Sequence, residues 1–165
     1  MIQTKIEKKE DLEAENEARA ERMKAEFSVK PVIKLFENEG YDGIIAQTNI
    51  PFMALCEHHK VAFEGEATVA YIPDKWITGL SKLTRIVEYY LNPTVYTVQE
   101  RATQQILDDL KEALNPKGIM VILKAKHGCL CYRGAKKPSL TITSAVDGVF
   151  KESFNTRQEL LNLIK

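Results

Sequence analysis

Cysteine and histidine stand three positions apart in LCEHHKVAF, residues 55–63, as Cys56 and His59. Thiolate and imidazole are donors that zinc favours, and at the end of an extended run this pair can close on one ion. A second cluster, KHGCLCYRG over residues 126–134, reads as a strand that places His127, Cys129, Cys131 and Arg133 on one face. One thiolate from Cys129 or Cys131 would complete a set of two sulfurs and one nitrogen, leaving the fourth zinc position to water. Adjacent histidines in an extended chain point to opposite faces, so His58 is expected to differ in its work from His59. His58 and His127 are then the imidazoles left to move protons near that water. The plainer alternative is a chance C-x-x-H pair, with the strand cysteines, Cys131 above all, serving as small buried apolar residues.

Two helix starts carry further polar chemistry. GLSK opens the first with Ser81 and Lys82, and Arg85 follows one turn on. Backbone N–H groups and basic side chains together make a natural phosphate site; the alternative is a solvated polar face. VQER opens the second with Gln99 and Glu100. A carboxylate there complements the helix dipole, or it forms an acceptor fork for the N1–H and 2-amino group of a guanine.

These residues need elements to hold them. Residues 5–27 use good helix formers, but their apolar positions (Leu12, Met23, Phe27) are too sparse for a buried stripe, which predicts a solvated helix or an arm packed on a neighbouring subunit. KPVIKLFENEG predicts a short helix stopped by Gly40. GIIAQTNIPFMALCEHH and HKVAFEGEATVAYIP predict strands, the second alternating Thr68 and Ala70 against Val69 and Tyr71 until Pro73. TGLSKLTRIVEYYL predicts a helix with Leu80, Leu83, Val87 and Tyr90 on its stripe, and VQERATQQILDDLKEAL a longer one closed by Asn115 and Pro116. GIMVILKAKHGCLCYRG and SLTITSAVDGVF predict two more strands, and TRQELLNLI a last helix capped at Asn155 or Thr156. The order β-β-α-α-β-β predicts an α+β fold, an antiparallel sheet with two helices on one face. An N-terminal helical arm over residues 1–40 precedes a catalytic domain over 41–165.

With 23 basic and 23 acidic residues the formal charge is zero, which argues against a broad nucleic-acid face or a polybasic membrane anchor. No apolar run approaches the roughly 18–20 residues of a membrane helix. The N-terminal stretch is charged throughout and lacks the apolar centre of a signal peptide, and three cysteines make an odd count for a disulfide framework. A reducing, cytoplasmic setting is the expectation.

Taken together, CEHH (56–59), AYIPD (70–74), GLSKLTRIVE (79–88), VQER (98–101), HGCLCYRG (127–134) and TITSAVDGVF (141–150) resemble GTP cyclohydrolase I, in that family's order and over roughly residues 45–165. The resemblance implies the tunnelling fold, in which subunits join their sheets into a barrel. Two rings commonly stack as a decamer, and the active sites lie between subunits. It implies conversion of GTP to 7,8-dihydroneopterin triphosphate and formate, the entry to pterins and to folate or 7-deazaguanine bases. It also implies Cys56, His59 and Cys129 as zinc ligands, with Cys129 preferred over Cys131 by its spacing from His127 and Arg133. His127 is implied as the acid toward the imidazole ring of the base, and His58 and Ser81 as groups near the sugar. Gln99 and Glu100 are implied as guanine readers, and Lys82, Arg85 and Arg133 as triphosphate contacts.

The match departs in three places. The segment before the core is expected to be shortened, without the TP-x-R stretch that adds phosphate contacts. HKVAFEG replaces an apolar-Pro segment and brings Lys60 near the pocket mouth. YYLNPTVYTVQER replaces a shorter link, and Pro93 is expected to break the first helix there. Two rival readings follow: an enzyme of the same fold acting on another purine or pterin, and a catalytically silent zinc protein that binds nucleotide.

Overall fold

Alternating β-branched and aromatic residues in the middle of the chain give long strands, and leucine-rich stripes give the helices that cover them. The computed structural model describes residues 9–165. In chain order the helices are α1 (Lys9–Phe27), α2 (Leu80–Tyr90), α3 (Gln99–Leu114), α4 (Gly128–Cys131), α5 (Val149–Glu152) and α6 (Phe154–Leu163). The strands are β1 (Leu35–Glu37), β2 (Ile45–Cys56), β3 (Ala62–Ile72), β4 (Trp76–Thr78), β5 (Tyr96–Thr97), β6 (Gly118–His127) and β7 (Leu140–Gly148). The main sheet runs β5-β2-β3-β6-β7, antiparallel from β2 to β7, with β5 lying parallel to β2.

The alternation in β3 sorts its side chains into two cores. Phe63, Val69 and Tyr71 face α2 and α3, meeting Leu83, Ile86 and Val87 of α2 and Ile106 and Leu110 of α3. Ala70 and Ile72 face the other way and pack with Met120, Ile122, Phe150 and Leu160. The expected α+β sheet with α2 and α3 on one face is therefore present, and α5 and α6 add a smaller cover on the other face. The α2 stripe is rotated from the expected one: Ile86 is buried, whereas Leu80, in the first turn beyond the reach of the core, is 58% exposed.

Three expectations need correction. The helix expected over residues 30–40 is absent; β1 pairs antiparallel with β4 instead. Asn38 accepts from Tyr41 N–H and donates to Asp74 O, closing a side-chain turn that competes with helix. The last helix is capped by Ser153, whose Oγ accepts from Thr156 N–H at 3.2 Å, so Asn155 and Thr156 fall inside it. As expected, the first helix does not run past Pro93: α2 ends at Tyr90. Most important for the site, β6 stops at His127. A Cβ at Gly128 would stand 2.5 Å from Val61 Cγ1 and 2.8 Å from Ala62 O, so only glycine lets the chain pass this close before it coils into α4. Cys129 and Cys131 thus lie on a helical turn, and the shared face expected with His127 and Arg133 does not form. α1 is helical from Lys9 on, and its residues from Asn16 on are mostly exposed; the expected first turn, from residue 5, begins outside the described residues. Asn115 closes α3 as expected, in the left-handed region at φ 41°.

Candidate functional site

The tight turn after β2 sets the first part of the site. Cys56 O accepts from Lys60 N–H at 2.8 Å, and Cys56 N–H donates to Val61 O at 2.9 Å. Lys60 takes the left-handed conformation, φ 55°, that the reversal requires. This turn replaces the extended geometry expected for His58 and His59; both rings are exposed, 6.2 Å apart between centroids and inclined by 70°. The Cys56 thiol is buried, and its Sγ lies 4.0 Å from His59 Nδ1. Sulfur and nitrogen bonded to one tetrahedral zinc stand roughly 3.6 Å apart. The donor types and their separation therefore fit a zinc ion with only a small adjustment.

The turn is tied to the approach of α3. Leu55 N–H donates to Val95 O and Glu57 N–H to Thr97 O, each at 3.0 Å. The Glu57 carboxylate pairs with Arg101, whose guanidinium holds that carboxyl below the usual glutamate range. Lys60 Nζ sits 4.5 Å from the centre of the Tyr96 ring, a cation–π contact that ties this departing residue to β5.

His127, the last residue of β6, sits opposite Phe63 in the strand register, and the two rings stack at 4.8 Å with 5° between their planes. Its Nε2 lies 2.7 Å from Gln99 Oε1. Gln99 opens α3 with 1% of its surface exposed, and its Nε2 lies 3.1 Å from each of Leu123 O, Thr141 O and Thr143 Oγ1. Burial pushes the His127 pKa below that of a free imidazole, and the negative charge of Glu100 opposes part of that shift. Glu100 itself is exposed at the start of α3.

Arg133 donates through Nη2 to His59 O at 2.8 Å, which folds the segment after β6 back onto the Cys56–His59 turn. Cys129, half-buried on α4, lies between these two anchors in the chain. Cys131 lines a different pocket with Ala62, Glu64 and Lys126, residues that alternate with Phe63 and His127 along their strands. Among the described residues no three His, Cys, Asp or Glu side chains are gathered closely enough to hold a metal ion. The structure therefore joins Cys56 to His59 and leaves the third donor to one side.

The expected phosphate group stands apart from this cluster. Ser81 and Arg85 are exposed and Lys82 is half-buried at the start of α2, whose N-terminus has no side-chain cap. Arg85 lines a cleft with Glu26, Phe27, Lys30 and Tyr89. None of these residues belongs to the Cys56–His127 group. Sequence reasoning missed Phe63, Thr103 and Thr143 as supports of the site; their strand and helix positions were legible, but the cross-strand register that aims them was not.

The family model described as GTP cyclohydrolase I matches residues 10–165. The GTP cyclohydrolase 1 of Gloeobacter violaceus is 49% identical over 126 residues, covering 76% of this chain and 58% of that protein. That of Chlorobium chlorochromatii is 48% identical over 133 residues, covering 80% and 59%. That of Aquifex aeolicus is 47% identical over 136 residues, covering 81% and 72%. The matched region thus spans somewhat under three-fifths of the length of the first two relatives. Among the described residues no helix is long and apolar enough to cross a membrane.

Proposed function

Because this chain belongs to the GTP cyclohydrolase I family, we propose that it opens the imidazole ring of GTP by hydrolysis at C8, releases formate and yields 7,8-dihydroneopterin triphosphate. The observation that carries this reading is the buried Cys56 thiol 4.0 Å from His59 Nδ1, on a turn hydrogen-bonded to the segment that leads into Gln99 and Glu100. Cys56, His59 and Cys129 would hold zinc, which when bound supplies the Lewis acidity that makes water nucleophilic near neutral pH. His127 exchanges a proton with the imidazole ring of the base as it opens. Its half-buried ring suits the task, since Phe63 stacks on it and Gln99 Oε1 holds one of its nitrogens at 2.7 Å, so its orientation is fixed.

Glu100 accepts from the N1–H and 2-amino group of guanine, a pairing that a base lacking those donors cannot satisfy. His58 and Ser81 serve the ribose and its proton transfers. Lys82, Arg85 and Arg133 meet the triphosphate, with the start of α2 contributing its N–H groups. The separation of the α2 residues from the Cys56 cluster is accounted for by a site shared between subunits. The edge strand β7 exposes Leu140 and Ile142, as a sheet that continues into a neighbouring copy would. The assembly is then a homo-oligomer, two stacked rings forming a decamer, acting in the cytoplasm at the head of pterin, folate or 7-deazaguanine synthesis.

The test is a formate assay on purified, zinc-loaded protein with GTP, ATP and GMP in parallel. GTP gives formate and, after oxidation, a fluorescent pterin; ATP fails at the base and GMP at the phosphates. Neither product from GTP, with zinc content verified, would overturn the reading.

A further inference from the structure

The hydrogen bonds around Gln99 have a direction that can be worked out group by group. Thr103 Oγ1 lies 2.7 Å from Gln99 O, a carbonyl that can only accept, so the single hydroxyl proton of Thr103 is spent there. The 2.7 Å contact between Thr103 and Thr143 must then use the Thr143 proton. Thr143 Oγ1 is left to accept from the Gln99 amide at 3.1 Å. Leu123 O and Thr141 O, also at 3.1 Å, are carbonyls as well. Turning the amide over would set its oxygen against both of them, so the NH₂ end faces the strands and Oε1 faces His127. That oxygen can only accept. The His127 nitrogen 2.7 Å away must therefore carry a proton, whatever the charge of the ring.

We propose that Gln99 is a positioning residue: its buried amide fixes the His127 proton on Nε2 and leaves Nδ1 as the atom that exchanges a proton with the substrate. This rests on the proposed role of His127 and changes that of Gln99, whose buried side chain turns its N–H groups to Leu123 O, Thr141 O and Thr143 Oγ1 and its oxygen to His127 rather than to a guanine. A neutral amide suits the post better than a carboxylate, because it orients the ring without holding the imidazolium form in place. Phe63 sets the plane of the ring and Gln99 its rotation within that plane, so the two together determine where Nδ1 points.

The protein has three histidines, which makes side-chain 15N spectra of histidine-labelled protein assignable with a His127→Gln control. In the metal-free and zinc-loaded wild type, His127 should show its proton on Nε2. Gln99→Leu should give a mixture of tautomers at His127 and leave His58 and His59 unchanged. Its kcat should fall about 100-fold while KM for GTP stays within about threefold, the pattern of a group acting through a general acid. A neutral wild-type His127 ring with its proton on Nδ1 overturns the inference. So does an unchanged spectrum in folded Gln99→Leu, or a raised KM with kcat kept, which is the mark of a base reader. If Gln99→Leu does not fold, the wild-type spectra decide, and a neutral His127 ring protonated on Nδ1 is fatal. If the spectra behave as expected but GTP gives no formate, the proposed reaction fails and the positioning role of Gln99 stands.

Discussion

The two halves of the candidate site are held in opposite ways. Around Cys56, Gln99 and His127 nearly every polar group is engaged inside the chain: the turn by backbone hydrogen bonds, the imidazole by a stacked ring and a buried amide. At the start of α2, Ser81, Lys82 and Arg85 reach outward and make no side-chain hydrogen bond or ion pair among the described residues. Bond-making chemistry needs geometry good to a fraction of an ångström, and that precision comes from a packed core. Phosphate capture needs charge more than placement, and long flexible cations supply it from a surface. Damage to the first half should abolish turnover, and damage to the second should weaken binding.

The largest effect is expected from the proposed metal donors. Cys56→Ala, or chelation of the wild type, should remove zinc and all measurable turnover while the far-ultraviolet circular dichroism is unchanged. The core around Phe63, Val69, Leu83 and Ile106 is built of apolar side chains packed on one another. In the same series Cys129→Ser should lose zinc by elemental analysis and Cys131→Ser should keep it; the reverse would move the ligand two residues along α4. His127→Ala comes next, with zinc retained and kcat reduced by about 10² to 10⁴-fold, the usual worth of a general acid. Unchanged turnover would take His127 out of the chemistry.

On the phosphate side Lys82→Ala and Arg85→Ala should each raise KM for GTP about tenfold with kcat preserved, and the penalty should shrink in high salt. A loss confined to kcat would erase the contrast between the halves. Smallest of all is Glu57→Gln. Its partner Arg101 is half-exposed, and an exposed pair contributes little, so the thermal midpoint should not move measurably.

The strands, both long helices and the start of each site-bearing helix were legible because periodicity is a local property. Val69 and Tyr71 against Thr68 and Ala70 announced β3, and Asn115 announced the end of α3. The same rule misled at residues 128–134. Cys129, Cys131 and Arg133 happen to alternate, but the decisive contact is between Gly128 and Val61, 67 positions away. Residues 30–40 failed similarly, because the partner of β1 is β4, across the whole of β2 and β3. In the site, residue types were enough to nominate Cys56, His59 and His127. They could not show that Gln99 is consumed by its own neighbours, since that depends on carbonyls of β6 and β7 aimed by the register.

Arg133 reaches back 74 positions to His59, and Gln99 forward 44 to Thr143. Contacts this distant along a polypeptide form only after the intervening loops have closed, an entropic cost that places them late in folding. A half-collapsed chain leaving synthesis therefore offers a cation only the local Cys56–His59 pair. The segment carrying Cys129 joins it only after Arg133 has folded back onto that turn.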